Sequence, residues 1–169
     1  MTLANYLYAL IYSNTYNIKC CEEWANKVLE KGAEFNTFTE WVFDLAFSKS
    51  EKEIYDILSI PMQREDYYRY NNHSLTEIIQ GYYYNSYILG MLSLQELLQL
   101  SGEVADAGQD GFSDCEIFFD WLNEIEKNPE LTTSIKFQAL IKNYYLPLWE
   151  AALTQKKCLE NCVISDFKI

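Results

Sequence analysis

The chain has 169 residues, with 25 acidic against 13 basic side chains, a net charge of −12 and one histidine. Its length fits one domain with a real core, and 49 % hydrophobic with 16 % aromatic residues excludes a disordered acidic tail. The charge excludes direct binding to DNA or RNA phosphates and disfavours an anionic membrane surface.

At the N-terminus, Met1-Thr2-Leu3-Ala4-Asn5-Tyr6 lacks a basic n-region, and the apolar run Leu7 to Ile11 is too short for a signal peptide. No apolar stretch approaches the roughly 20 residues of a membrane span. The expectation is a cytoplasmic protein. Helical periodicity then dominates. Leu3, Tyr6, Leu7, Leu10 and Ile11 share one helix face. Trp24, Val28 and Leu29 share another, and Gly32 offers a C-cap. Four capping boxes mark helix starts: Thr37 with Glu40, Ser50 with Glu53, Ser74 with Glu77, and Ser113 with Glu116.

The predicted helices run roughly over 2–14, 18–31, 37–48, 51–59, 74–101, 114–127 and 134–155. Pro61 closes the fourth, and residues 61–73 form an irregular link. The fifth can bend at Gly81 or Gly90, and Pro129 sits in the turn after the sixth. Pro147 should kink or split the last, because it removes an N–H and crowds the preceding turn. Residues 163–169 read as a short extended tail. No paired period-2 runs are present, so a sheet is not expected. The fold class is all-α: a single-domain bundle over 1–169 of about six to seven helices.

Charge is distributed unevenly. From Tyr70 to Glu126 there is no lysine or arginine, and ten carboxylates fall in that stretch; the rest of the chain holds 15 acids against 13 bases. Such asymmetry creates a directional field that favours a cationic partner. Residues 114–126 form an amphipathic helix, with Ile117, Phe118, Trp121, Leu122 and Ile125 inward and Asp114, Glu116, Asp120, Glu124 and Glu126 outward. A solvated acidic face accounts for the same pattern. Exposed helices, however, usually mix signs to gain i,i+4 pairs, and this one does not. The 14 tyrosines include Tyr67-Tyr68-Arg69-Tyr70 and Tyr82-Tyr83-Tyr84. Three consecutive tyrosines cannot share one helix face, so at least one of the second cluster should approach the surface, where tyrosine suits interfaces. The candidate partner-binding set is Asp106, Asp110, Asp114, Glu116, Asp120, Glu124, Tyr67, Tyr70 and Tyr83.

No catalytic or metal constellation emerges. Asp106, Asp110, Gly111 and Asp114 match positions of a calcium loop, but Gly108 and Ile117 stand where ligands are needed; an interhelical loop explains the same residues. His73 has no nucleophile fixed near it and reads as a solvent-exposed linker residue. Paired carboxylates such as Glu22-Glu23, Glu65-Asp66 and Glu124/Glu126 read as solvated faces. Cys20, Cys21, Cys115, Cys158 and Cys162 are odd in number and lack zinc spacing, so reduced thiols are expected. Neither a phosphate-binding glycine loop nor a nucleophile elbow occurs. The expectation is a non-enzyme without cofactor or metal.

A small, acidic, all-helical chain without catalytic residues resembles the immunity proteins of bacterial polymorphic toxins, including contact-dependent growth inhibition systems. Trp24-Ala25, Leu29 and Gly32, then Leu45-Ala46 and Ile54 to Leu58, are similar to a pattern in small bacterial proteins near such toxin loci, over about 35 residues of the 169. The resemblance implies a protein that binds one cognate basic toxin, often a nuclease, and covers its active site. Two other readings stay open. One is an acidic nucleic-acid mimic or adaptor that inhibits another nucleic-acid-handling protein. The other is a helical protein with a small-ligand pocket between helices.

Overall fold

In the computed structural model, residues 3–35, 40–63, 73–107 and 114–161 are described, and among them the chain is helical with no strand. Eight α-helices follow in order: α1 Leu3–Tyr12, α2 Ile18–Phe35, α3 Glu40–Ala46, α4 Glu51–Gln63, α5 Leu75–Ile88, α6 Leu94–Ala107, α7 Glu116–Lys127 and α8 Ile135–Glu160, with a 3₁₀ turn Pro129–Thr133 before the last. The all-α class follows. Contacts gather the chain into two compact units. One is Met1–Tyr68 with Gln155–Ile169, and the other is Arg69–Thr154; α8 passes from the second to the first after Thr154.

The first unit is built around α1, whose Ala4, Tyr6, Leu7, Ala9, Leu10 and Ile11 are all buried, wider than the single stripe its periodicity marks. Ser13 Oγ donates to the Leu10 carbonyl, and Asn14 takes φ 54°, which turns the chain out of the helix. Asn17 then caps α2 by accepting the Cys20 N–H at 3.0 Å. Trp24 stacks on Trp41 and donates its indole N–H to the Leu159 carbonyl at 3.2 Å, so α2, α3 and the end of α8 meet at one side chain. Cys20, Cys21, Cys115 and Cys158 are free thiols, and Cys162 lies outside the described residues.

The second unit is centred on α5. Ser74 and Glu77 form the full reciprocal capping box, and every residue from Ile78 to Tyr84 is buried. All three of Tyr82, Tyr83 and Tyr84 are therefore interior, contrary to the expectation that one would reach the surface. The cause is packing all around α5 rather than on one face. Gly81 permits the closest approach: a Cβ there would strike the Leu148 carbonyl and the Ala152 methyl of α8. Tyr84 stacks on Tyr145 with ring centroids 5.0 Å apart, and Trp149 donates to Asn85 at 3.0 Å. A buried polar layer crosses this core. Tyr145 donates to Ser101 Oγ at 2.7 Å and Gln80 Nε2 to the Ser101 carbonyl at 3.2 Å, while Gln80 Oε1 has no hydrogen-bond partner among the described residues.

Several boundaries differ from expectation. The long fifth helix divides after Ile88. Gly90, at φ +73°, donates to the Tyr87 carbonyl while Met91 donates to that of Ser86, a Schellman stop. Ser93 and Glu96 then form a fresh capping pair that opens α6. Helix α2 runs on to Phe35, so Gly32 does not end it. Pro61 lies within α4 rather than closing it, two residues before the last. Pro147 does not split α8, because Ile141, Tyr145, Leu148 and Ala152 form one buried stripe that spans it. At Ser50 the hydroxyl accepts from Glu53 as expected, but Glu53 reaches back to the Lys49 N–H. Thr37, Ser113 and the proposed tail 163–169 lie outside the described residues, as do 64–72 of the expected link.

Gly81→Ala should destabilise the protein by about 1–3 kcal/mol through overpacking, and Ser93→Ala by about 1 kcal/mol through loss of the cap. Equilibrium urea unfolding checks both; an unchanged midpoint for Gly81→Ala would contradict the close approach of α5 and α8.

Candidate functional site

The two units differ in charge. The second carries 12 acids and 4 bases over residues 69–154, whereas the first carries 13 and 9. Most of the acidic excess of the second unit is borne by α6, α7 and the segment between them. Asp106, Asp114, Glu116, Asp120 and Glu124 are all exposed. Glu116, Asp120 and Glu124 recur at i, i+4 and i+8, which puts them on one face of α7. Asp114 Oδ1 accepts the Glu116 N–H at 3.0 Å, so this carboxylate also caps the helix it precedes. Lys127 lies 3.6 Å from Glu124 and supplies a counter-charge at one end. Asp106 sits one residue before the C-terminus of α6, where the helix dipole opposes a negative charge.

Beneath the acidic face α7 is held by rings. Phe118, Trp121 and Ile125 are buried, while Ile117 and Leu122 are half-buried. Phe118 and Trp121 meet Tyr144 edge-on at 5.4 Å and 5.5 Å, and Trp121 meets Phe137 at 6.5 Å. Burial first, and then the nearby Glu77 and Asp114 carboxylates, push the Tyr144 hydroxyl up to about 12. The helix therefore presents its carboxylates from a fixed platform.

Of the remaining candidate residues, Tyr83 is buried and unavailable to a partner, which removes it from the surface set. Asp110, Tyr67 and Tyr70 lie outside the described residues, as does half of the calcium-loop match. Among the described residues no group of three or more His, Cys, Asp or Glu side chains could hold a metal. His73 is not a freely solvated linker residue. Its Nδ1 is buried without a hydrogen-bond partner among the described residues and lies 3.6 Å from the Glu77 carboxylate, which caps α5.

The first unit has an open cleft of about 450 Å³ between Tyr16, Cys20, Trp24, Lys27, Lys156 and Glu160. Its charges are largely satisfied: Lys156 lies 3.8 Å from Glu160 and over the Tyr16 ring. Burial and then Glu160 raise the Tyr16 hydroxyl far above its ordinary range. The Trp24-Ala25, Leu45-Ala46 and Ile54 to Leu58 pattern also falls in this unit. Trp24, Ala25, Leu45, Ala46, Ile54 and Leu58 are buried, so these residues pack a core.

Sequence reasoning missed one surface altogether. Ile88, Leu89, Met91 and Ile135 are exposed apolar residues around the α5–α6 turn and the start of α8. Gly90 followed by the Ser93/Glu96 box was the available signal. No family model matches the chain, and neither does a curated protein or a solved structure. Among the described residues no helix is long and apolar enough to cross a membrane.

The buried acids of both units set the alkaline limit of stability. Burial raises Cys21 from 9.0 to about 12 and Tyr144 from 10.0 to about 12. Raised values mean that the folded state holds these protons longer than the unfolded chain. Their contribution is full below the ordinary values and is lost as pH rises through the folded ones. The urea midpoint should stay level from about pH 7 to about pH 9 and fall above that. A midpoint unchanged at about pH 11 would contradict the burial of these groups.

Proposed function

We propose that this chain is a cytoplasmic immunity protein that binds a cognate basic protein toxin, a nuclease foremost, through the acidic face of its second unit. The observation that carries the reading is the row Asp114, Glu116, Asp120 and Glu124, exposed on an aromatic-backed helix with Lys127 the nearby counter-charge. A nuclease must attract nucleic acid, so its cleft is positive, and an acidic inhibitor is steered to it. The protein acts without turnover, cofactor or metal, by covering the cleft. The cleft of the first unit gives a small-ligand reading less support, because Lys156, one of the two lysines that line it, is already engaged by Glu160 and Tyr16.

Reversing Asp114, Asp120 and Glu124 to lysine should slow association with the copurified partner about tenfold or more at low salt, and flatten the salt dependence, with a smaller effect on dissociation. Stopped-flow binding at two salt concentrations reads this. An unchanged on-rate at low salt would reduce the acidic face to a solubility device. His73→Ala should leave neutralisation intact; loss of activity in a folded His73→Ala protein would overturn the non-enzymatic reading.

A further inference from the structure

The turn between α5 and α6 has the wrong composition for a surface turn. Ile88, Leu89 and Met91 expose 48 %, 64 % and 64 % of their surface, and a Cβ at Gly90 would meet nothing within 4 Å. Such turns are normally polar, and consecutive exposed apolar residues are unfavourable unless something covers them. In a Schellman stop the residue after the glycine usually packs back on the helix; here that residue is Met91, and it faces solvent.

Ile135, 87 % exposed, lies at the same end of the unit. Tyr87 donates to Gln138 Oε1 at 3.1 Å, and Gln138 Nε2 donates to the Thr132 carbonyl at 2.6 Å. Those two bonds tie the last turn of α5, the first turn of α8 and the 3₁₀ turn together. Glu124, Glu126 and Glu130 are exposed along the stretch of chain that leads from the end of α7 to Ile135, and Glu96 opens α6 just after the turn. Lys127 and Lys136 are the lysines there, the first paired with Glu124.

We infer that Ile88, Leu89, Met91 and Ile135 form the apolar anchor for a partner protein whose contact face is itself apolar and ringed by lysine or arginine. Charge selects this occupant. A second copy of the chain would bring together two molecules of net charge −12, and an anionic lipid surface would be repelled. A cationic rim meets Glu96, Glu126 and Glu130 while the apolar centre is desolvated, which is the usual division between rim and hot spot. The inference deepens the binding reading above and rests on it: carboxylates on α7 set the on-rate, and this end sets the off-rate.

The probe is a synthetic amphipathic helix of about 18 residues made only of leucine and lysine, titrated into the full chain by calorimetry. The triple variant Leu89→Ser, Met91→Ser, Ile135→Ser should bind it at least tenfold more weakly while keeping its circular dichroism and urea midpoint, since all three side chains are already in solvent. A peptide with serine in place of leucine should bind the wild type as weakly. Equal affinity for wild type and serine variant, or no binding of the leucine-lysine peptide to wild type, overturns the inference and leaves the acidic face to be judged by its own kinetics. Weakening by the serine variant but not by Asp114, Asp120 and Glu124 reversal supports the anchor and sinks the acidic-face reading instead. Two further results overturn it: a wild-type dimer in sedimentation that the serine variant disperses, which makes a second copy the occupant, or flotation with phosphatidylserine vesicles that the serine variant loses.

Discussion

The second unit depends on the contact of two backbones. Helix α5 carries a glycine where the Leu148 carbonyl of α8 lies against it, and no side chain would fit between them. That approach sets how deep α8 sits. One turn further on, Tyr84 and Tyr145 stack because the helices are already close, and Asn85 then reaches the Trp149 indole. Tyr144 and Tyr145 in turn support Phe118, whose ring sits 5.4 Å and 6.2 Å from theirs. The register of α7 is inherited from α8, and that of α8 from the missing methyl at residue 81.

This hierarchy explains how α7 tolerates its charges. Glu116, Asp120 and Glu124 repel one another at i,i+4 spacing, which costs about 0.2–0.5 kcal/mol for each pair. Each aromatic pair beneath them contributes about 0.5–1.5 kcal/mol beyond burial, and Phe118 and Trp121 take part in several. Packing outweighs repulsion, so the helix persists with Lys127 as its one base. Asp106 is less easily explained by the fold, since it opposes the dipole of α6.

Local chemistry was legible; burial all around a helix was not. Capping at Ser74, the start of α2 at Ile18 and the inner stripe of α7 follow from spacing alone. Tyr83 was misplaced because periodicity assumes that a helix has an outside, and the middle of α5 has none. The break at Gly90 was open to reading, but an apolar run through Ile88, Leu89 and Met91 imitates a continuing helix. Only the dihedral at Gly90 and the second capping pair decide it. The proline positions show the converse. Pro147 carries a real local penalty, yet a buried stripe on both sides of it keeps α8 whole.

The indole of Trp24 donates to a carbonyl 135 positions later in the chain, at Leu159. The first unit is therefore discontinuous in sequence, while the second runs without interruption from Arg69 to Thr154. During synthesis the ribosome adds every residue of the second unit before it adds Leu159. Helices α1 to α3 must wait, with Trp24 and Trp41 unsealed, through the manufacture of more than half the protein. At roughly 5–20 residues per second that interval lasts several seconds or longer. Translation speed across codons 69–154 thus becomes a determinant of how long the nascent N-terminal helices stand exposed to chaperones and proteases.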